Sequence, residues 1–227
     1  MDPKSLENKE VYRFSPVERF THGVHAVAFV VLLFTGLGVL LTSFQPAMKI
    51  FGGIEVTRMI HRIGGAVAVA LVALGFAIEP KLREWITFSL KIDKDDLEFN
   101  KSFPVEFFGG HAPFPPQGRF NGGEKINILL MFFSCVIIAI TGFIMWFPEV
   151  FPIWLVRWSY PAHSGFVLLL TAVFLMHFYL GVLHPDSNQA LKGMFTGWVP
   201  AKFARAHYEK WFNEVAEKEP DKIKDVS

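Results

Sequence analysis

Four long apolar stretches constrain the fold of this chain more than any other feature of its sequence. They cover roughly residues 20–44, 60–78, 126–147 and 160–182, and each is long enough to cross about 30 Å of hydrocarbon as an α-helix. A proline, which ends a helix at little cost, lies just beyond each stretch: Pro46, Pro80, Pro148 and Pro185. With 52% apolar residues, the sequence predicts an all-α integral membrane protein, a four-helix bundle that forms a single membrane domain over residues 1–227.

Lysine and arginine are distributed unequally around these stretches. Eighteen of the 22 lie in the N-terminal segment, in the long connection at 79–125 and in the tail at 184–227, and four lie in the short connections and the start of the second stretch. Because positive charge stays on the cytoplasmic side, the pattern predicts that both termini and the long connection are cytoplasmic. A net charge of +1 gives no sign of a nucleic-acid partner. The four apolar stretches make the lipid bilayer the expected surroundings of the chain.

Five histidines lie inside the apolar stretches, and four of them are candidates to form pairs across the helices. His163 and His177 are fourteen residues apart in the fourth stretch, so they share nearly the same helix face at about 21 Å along the axis. His22 begins the first stretch and His61 begins the second. With the predicted orientation, His61 and His163 lie at the outer side of the membrane, whereas His22 and His177 lie toward the cytoplasm. Ionisable side chains inside a membrane are candidates for function, so this arrangement predicts two bis-histidine sites at two depths.

Two b-type haems fit this arrangement, with the four histidines as axial ligands to iron. The single cysteine, Cys135, excludes a four-cysteine iron–sulfur cluster and a covalent C-x-x-C-H haem site within the chain. Two histidines per site would undersupply zinc. A different class of function stays open, namely a haem-free transporter whose histidines relay protons. His25 lies one turn from His22 and is a rival ligand or merely its neighbour.

Two glycines repeat the fourteen-residue spacing. Gly36 follows His22 by fourteen residues and Gly75 follows His61 by the same distance, so each lies on the histidine face at the depth of the other site. Because a flat macrocycle needs close approach of the backbone, we expect Gly36 to pack on the outer haem and Gly75 on the cytoplasmic one. The alternative is that both glycines serve helix packing, as is common in membranes.

Several short motifs resemble the cytochrome b (gamma) subunit of respiratory membrane-bound formate dehydrogenases, within the wider group of nickel–iron hydrogenase cytochromes b. The resemblance covers roughly residues 17–214, and the phrase before the third stretch is its most specific part. The motifs are Arg19-Phe-Thr-His22, Thr35-Gly36, Arg58-Met-Ile-His61, Gly118-Arg-Phe-Asn-Gly-Gly-Glu-Lys125, His163 with His177, Leu191-Lys-Gly-Met-Phe-Thr-Gly197 and Ala206-His-Tyr-Glu-Lys-Trp211.

The resemblance implies an electron conduit in the bacterial inner membrane. Electrons would arrive at the outer haem from an iron–sulfur subunit, which serves a catalytic oxidoreductase subunit, and would leave from the cytoplasmic haem to menaquinone or ubiquinone. The family's quinone site implies roles for Asn121 and Gly123, with His177 beside them. The chain would then carry out no chemistry on formate itself.

Alternatives remain at the level of the sequence. The same conduit would serve hydrogenase or thiosulfate/polysulfide reductase. Asn121 is otherwise a turn or helix-cap residue, and Glu124, which replaces the family's usual Gln, either takes part in protonation or is a solvated residue at a helix start. His111, in the long connection, either contacts quinone or faces solvent.

Overall fold

A computed structural model describes residues 6–108, 110 and 112–226 of the chain. Four of its helices are long and apolar enough to cross a membrane: α1 (Pro16–Leu40), α2 (Ile54–Ile78), α5 (Gly122–Trp146) and α6 (Ile153–Phe178). A π-helical turn, Tyr179–Leu183, continues α6. The prediction of four membrane-spanning helices in a mainly helical protein is therefore confirmed.

Each of these helices begins four to seven residues before the start predicted from its apolar stretch. In three of the four helices the added first turn contains an acidic residue, namely Glu18 in α1, Glu55 in α2 and Glu124 in α5; the first turn of α6 contains none. Acidic side chains stabilise the positive end of a helix, although they lower the mean hydropathy of a sequence window. Hydropathy alone therefore places the starts too late.

The first span also ends earlier than expected, at Leu40 rather than near residue 44. A 3₁₀-helix, Thr42–Phe51, follows it and contains Pro46. Met48 of this helix is fully buried, and its thioether occupies the space beside Gly38 where any larger side chain would stand. The chain thus leaves the α-helix after Leu40 and packs Met48 back against α1.

The long connection contains two helices, α3 (Pro80–Ser89) and α4 (Lys94–Phe107). A reciprocal capping box starts α4: the Asp96 N–H donates to Asp93 Oδ1 over 2.9 Å, and the Asp93 N–H donates to Asp96 Oδ2 over 2.8 Å. Aromatic residues of the long connection stack on one another, with the Phe99 and Phe114 ring centroids 4.6 Å apart.

The C-terminal tail folds back on the N-terminal segment. After α6 come α7 (Ala190–Thr196), β2 (Trp198–Pro200), α8 (Ala201–His207), α9 (Glu209–Lys218), a 3₁₀-turn (Pro220–Lys222) and β3 (Ile223–Asp225). The N-terminal strand β1 (Lys9–Tyr12) pairs antiparallel with both β2 and β3. This small sheet was not expected in an all-α chain, and its centre, Val11 and Val199, is fully buried.

The chain divides into two compact units. The tail-and-loop unit comprises the N-terminal segment up to Arg19, residues Arg83–Met131 and the chain from Val173 onward. The span unit comprises Phe20–Leu82 and Phe132–Ala172. The buried core of the tail-and-loop unit consists largely of sheet and tail residues, among them Leu6, Val11, Val199, Phe203, Tyr208, Phe212 and Val215.

Candidate functional site

Two of the predicted ligand histidines meet in the span unit. His61, in α2, and His163, in α6, have ring centroids 6.5 Å apart, with their planes inclined by 65°. Two imidazoles that each coordinate one metal ion at about 2 Å through nitrogen place their centroids roughly 6 Å apart. The separation of this pair therefore fits two axial ligands to a single iron atom.

Each of these rings contacts a threonine hydroxyl from another span. Thr35 Oγ1 in α1 lies 2.9 Å from His61 Nδ1, and Thr141 Oγ1 in α5 lies 3.1 Å from His163 Nδ1. Thr35 is fully buried and Thr141 is 8% exposed. Since Nδ1 is occupied in both rings, Nε2 is the nitrogen that remains for a metal.

A glycine follows each of the two threonines and lies against the same ring. A Cβ added to Gly36 would stand 3.1 Å from His61 Cε1, and one added to Gly142 would stand 3.3 Å from His163 Cε1. Larger side chains at either position would push the imidazole aside. Gly36 thus lies against the His61 ring, whereas its packing on a haem stays a prediction; the sequence analysis missed Gly142.

His22 lies in the second turn of α1 and is partly buried. Its neighbour Thr21 fills the space beside Gly75, because a Cβ on that glycine would overlap the Thr21 side chain. Gly75 therefore packs closely on α1 next to His22, an arrangement that also fits the helix-packing alternative, and its contact with a haem stays a prediction. His25, one turn further along, has its Nε2 3.8 Å from Cys135 Sγ.

His177 is the penultimate residue of α6, and its side chain is exposed. The π-helical turn Tyr179–Leu183 begins two residues later, and such turns often occur at functional sites. His163 and His177 thus lie on one continuous helix, as predicted. His22 belongs to the span unit and His177 to the tail-and-loop unit, so the pairing of these two residues stays a prediction from sequence.

The residues expected at a quinone site form the first turn of α5. Asn121 and Glu124 make a reciprocal capping box: the Glu124 N–H donates to Asn121 Oδ1 over 2.8 Å, and the Asn121 N–H donates to Glu124 Oε2 over 2.9 Å. The two N–H donors of the Asn121 amide lie outside this box. Gly123 is the second residue of the helix, where a backbone N–H has no carbonyl partner within the helix.

Gly122, rather than Gly123, is the glycine that packing requires. A Cβ at Gly122 would overlap the Asp96 backbone and stand 2.8 Å from Asn100 Nδ2, whereas a Cβ at Gly123 would make ordinary contacts at 3.4 Å. The start of α5 therefore crosses the first turn of α4 at close range. His111 lies outside the described residues.

Glu124 also links α5 to both ends of the chain. The Tyr208 hydroxyl donates to Glu124 Oε1 over 2.7 Å, and the Arg13 guanidinium donates to the same oxygen over 3.4 Å. Arg13 in turn stacks on the Tyr208 ring at 3.7 Å. Burial raises the pKa of the Tyr208 phenol above its ordinary value, so this hydroxyl stays protonated and able to donate.

A second acidic residue, Glu18, forms a similar junction at the start of α1. Its buried carboxylate accepts hydrogen bonds from Arg119 Nη2 and Trp85 Nε1, each over 2.7 Å, and from the Ser15 N–H over 2.6 Å. The Glu18 N–H donates to Ser15 Oγ over 3.2 Å, which completes another capping box. Glu18 and Glu124 thus cap the spans α1 and α5 and tie them to neighbouring segments.

A cavity of about 350 Å³ lies in the tail-and-loop unit beside this junction. Its wall includes Asp96 and Lys125, a buried ion pair 2.6 Å apart, and Gln117, whose Oε1 accepts from the Gly122 N–H over 3.0 Å. The long connection therefore contributes a cavity lined by both charged and aromatic residues next to the first turn of α5.

Comparison with known proteins identifies the family of this chain. Residues 13–197 match the family described as prokaryotic cytochrome b561. The cytochrome b556(fdo) subunit of formate dehydrogenase from Escherichia coli K12 is 27% identical over 208 residues, which cover 90% of this chain and 93% of the relative.

Two further relatives carry similar names. The cytochrome b556(Fdn) subunit of the nitrate-inducible formate dehydrogenase of the same strain is 24% identical over 219 residues, covering 95% of this chain and 96% of the relative. The formate dehydrogenase cytochrome b556 subunit of Haemophilus influenzae is 25% identical over 208 residues, covering 90% and 83%. With four membrane-spanning helices and a match over most of its length, this chain belongs to the prokaryotic cytochrome b561 family, a family of membrane cytochromes whose cofactor is haem b.

Proposed function

We propose that this chain is the di-haem cytochrome b subunit of a respiratory formate dehydrogenase in the bacterial inner membrane. On this proposal it passes electrons from an iron–sulfur subunit across the membrane to menaquinone or ubiquinone. The observation that carries the proposal is the meeting of His61 and His163 at 6.5 Å, each with Nδ1 against a threonine hydroxyl. The names of the relatives support the choice of formate dehydrogenase.

Four histidines hold the two haems in this proposal. His61 and His163 bind the outer haem, and His22 and His177 bind the other. When bound, haem b supplies one-electron oxidation and reduction at its iron. Gly36 and Gly142 let the His61 and His163 rings lie close to the backbones of α1 and α5, and Gly75 lets α2 pack closely on Thr21. The apolar side chains of the spans keep water away from both sites, which together with the second-sphere hydrogen bonds sets their potentials.

Fourteen residues separate His163 from His177 on α6, which corresponds to a rise of about 21 Å. The proposed sites therefore lie near opposite faces of a bilayer. Pairing of β1 with β2 and β3 joins the two ends of the chain within the tail-and-loop unit, which supports an even number of crossings. We assign this end to the cytoplasm because it carries most of the lysine and arginine.

The first turn of α5 binds quinone in this proposal. A quinone carbonyl is a hydrogen-bond acceptor, and the first turn of α5 offers it the N–H groups of the Asn121 amide and the Gly123 N–H as donors. The positive end of the α5 dipole favours the negative charge that develops on the oxygen during reduction. His177 completes the site from α6.

The test has two parts. A reduced-minus-oxidised spectrum with pyridine haemochrome quantification should give two b haems per chain in the purified complex. Absence of haem from the purified complex would contradict the proposal and favour the alternative, a transporter whose histidines relay protons. Reduction of the haems by formate is then compared with their reduction by hydrogen and with their oxidation by thiosulfate or polysulfide, which identifies the partner enzyme.

The quinone site is tested with Asn121→Asp. Aspartate is as good a helix cap as asparagine, so α5 should start normally, but the two N–H donors are lost. We expect both haems to be retained and their oxidation by a menaquinone analogue to slow by at least tenfold. Unchanged oxidation kinetics would remove Asn121 from the quinone site, whereas loss of haem would show that the variant disturbs the fold.

A further inference from the structure

The two threonines beside the outer histidine pair have a hydrogen-bond pattern that fixes the position of a proton. Thr35 Oγ1 lies 2.9 Å from the Val31 carbonyl oxygen, 3.2 Å from the Leu32 carbonyl oxygen and 2.9 Å from His61 Nδ1. A hydroxyl has one proton to donate, and a carbonyl oxygen only accepts. The Thr35 proton is therefore directed to the helix backbone, so the hydroxyl oxygen accepts a proton from His61 Nδ1.

Thr141 repeats this pattern with His163. Its Oγ1 lies 2.7 Å from the Ile137 carbonyl oxygen, 3.1 Å from the Ile138 carbonyl oxygen and 3.1 Å from His163 Nδ1. The same accounting makes His163 Nδ1 the donor. Both rings are then neutral tautomers whose Nε2 carries the lone pair.

The glycine after each threonine completes a cradle for the ring. Thr35 and Gly36 hold His61 at Nδ1 and Cε1, and Thr141 and Gly142 hold His163 at the same two atoms. The cradles come from different spans, α1 and α5, and neither span contributes a histidine to this pair. Two identical dipeptides thus position the two rings of one site.

We propose that Thr35 and Thr141 are positioning residues for the outer haem, which select Nε2 of His61 and His163 as the axial ligand atoms and raise the basicity of both imidazoles. This inference rests on the proposed ligation of haem by these histidines. A ligand imidazole that donates its second N–H to an acceptor is a stronger electron donor to the metal. The two hydroxyls therefore favour the oxidised iron and lower the midpoint potential of that haem relative to a site without them.

Threonines inside helices commonly bond to the carbonyl oxygen four residues earlier. The experiment therefore needs a control variant that loses only such a backbone hydrogen bond. Thr171 in α6 provides one, because its Oγ1 donates to the Val167 carbonyl oxygen over 2.7 Å. Replacement of Thr171 by valine removes a hydroxyl of the same kind that contacts the helix backbone. Thr35→Val and Thr141→Val remove the contact to histidine as well.

The experiment compares these variants in the assembled complex, in native membranes. Haem content is measured by pyridine haemochrome, midpoint potentials by redox titration and ligand geometry by the electron paramagnetic resonance of the oxidised haems. We expect Thr35→Val and Thr141→Val to shift the potential of the same single haem to more positive values and to change its resonance. Thr35→Ser and Thr141→Ser should restore both properties, and Thr171→Val should match the wild type.

The outcomes separate this inference from the proposed function. Two haems in the wild type with no shift in any variant would overturn the positioning role and leave the haem ligation intact. Absence of haem from the wild type would overturn the ligation itself. If a valine variant loses one haem, restoration by serine supports positioning, because serine keeps the hydroxyl without the methyl group, whereas failure of serine to restore it would contradict that role.

Discussion

The two units of this chain handle polar groups in opposite ways. The tail-and-loop unit buries charges and pairs them, as in Glu18 with Arg119 and Asp96 with Lys125. In the span unit, the hydroxyls of Thr35 and Thr141 bond to carbonyl oxygens of their own helices and contact Nδ1 of His61 and His163. Nε2 of each ring is then the nitrogen left to bind a metal. The difference indicates that charge networks hold the ends of the helices, whereas small uncharged groups prepare the interior for a cofactor.

The largest effect should follow from breaking the buried junction at Glu18. Glu18→Ala removes the acceptor of the Trp85 N–H and the buried ion-pair partner of Arg119, which retains the Arg13 carbonyl oxygen at 3.3 Å. Loss of one partner from a buried pair costs roughly 3–5 kcal/mol. Thermal unfolding of the solubilised protein, followed by tryptophan fluorescence, measures the change. Glu55→Ala, which breaks the exposed pair with Arg58, is the matched control and should change the free energy of unfolding far less. Equal effects would contradict the assigned role of Glu18.

Glycine substitutions should show how rigid each unit is. Gly122→Ala places a Cβ against the Asp96 backbone, whereas Gly38→Ala in the span unit meets the flexible end of Met48. We expect Gly122→Ala to cost about 1–3 kcal/mol by overpacking and Gly38→Ala to cost less, because a methionine side chain adapts easily. Gly165→Ala, with open space around it, should be neutral or stabilising. A lower unfolding temperature for Gly38→Ala than for Gly122→Ala would contradict this expectation and show that α4 and α5 can move apart at little cost.

The smallest effect concerns the pH dependence of the tail-and-loop unit. The Asp96 N–H lowers the pKa of the Asp93 carboxyl below its ordinary value of about 3.9, with help from Lys210. A lowered pKa in the folded state contributes stability that is fully present above pH 4 and is lost as the pH falls further. Asp93→Asn keeps the cap of α4, so its unfolding should depend less on pH between 4 and 2. Identical pH profiles would exclude Asp93 as a source of acid sensitivity.

Sequence patterns predicted the span unit better than the tail-and-loop unit. Apolar stretches identified all four spans, and the fourteen-residue spacing placed His163 and His177 on one helix. The early starts of α1 and α5 were visible as Ser15 to Glu18 and Asn121 to Glu124 capping boxes, and the repeated Thr-Gly dipeptide would have revealed Gly142.

Other features were beyond the reach of sequence patterns. The strands β1 and β2 are four and three residues long and pair across almost the entire chain, so neither has a periodicity that is recognisable alone. The junction at Glu18 depends on Arg119 and Trp85 from distant parts of the long connection. Such contacts arise from tertiary packing, which local propensity does not contain.

The most direct test of the account is to identify which haem each histidine holds. His22, His61, His163 and His177 are replaced by alanine one at a time, and the two haems are distinguished in each variant by redox titration of the optical spectrum. The account predicts that His61→Ala and His163→Ala lose the same haem, and that His22→Ala and His177→Ala lose the other. Loss of different haems from His61→Ala and His163→Ala, or retention of both in either variant, would contradict the paired arrangement.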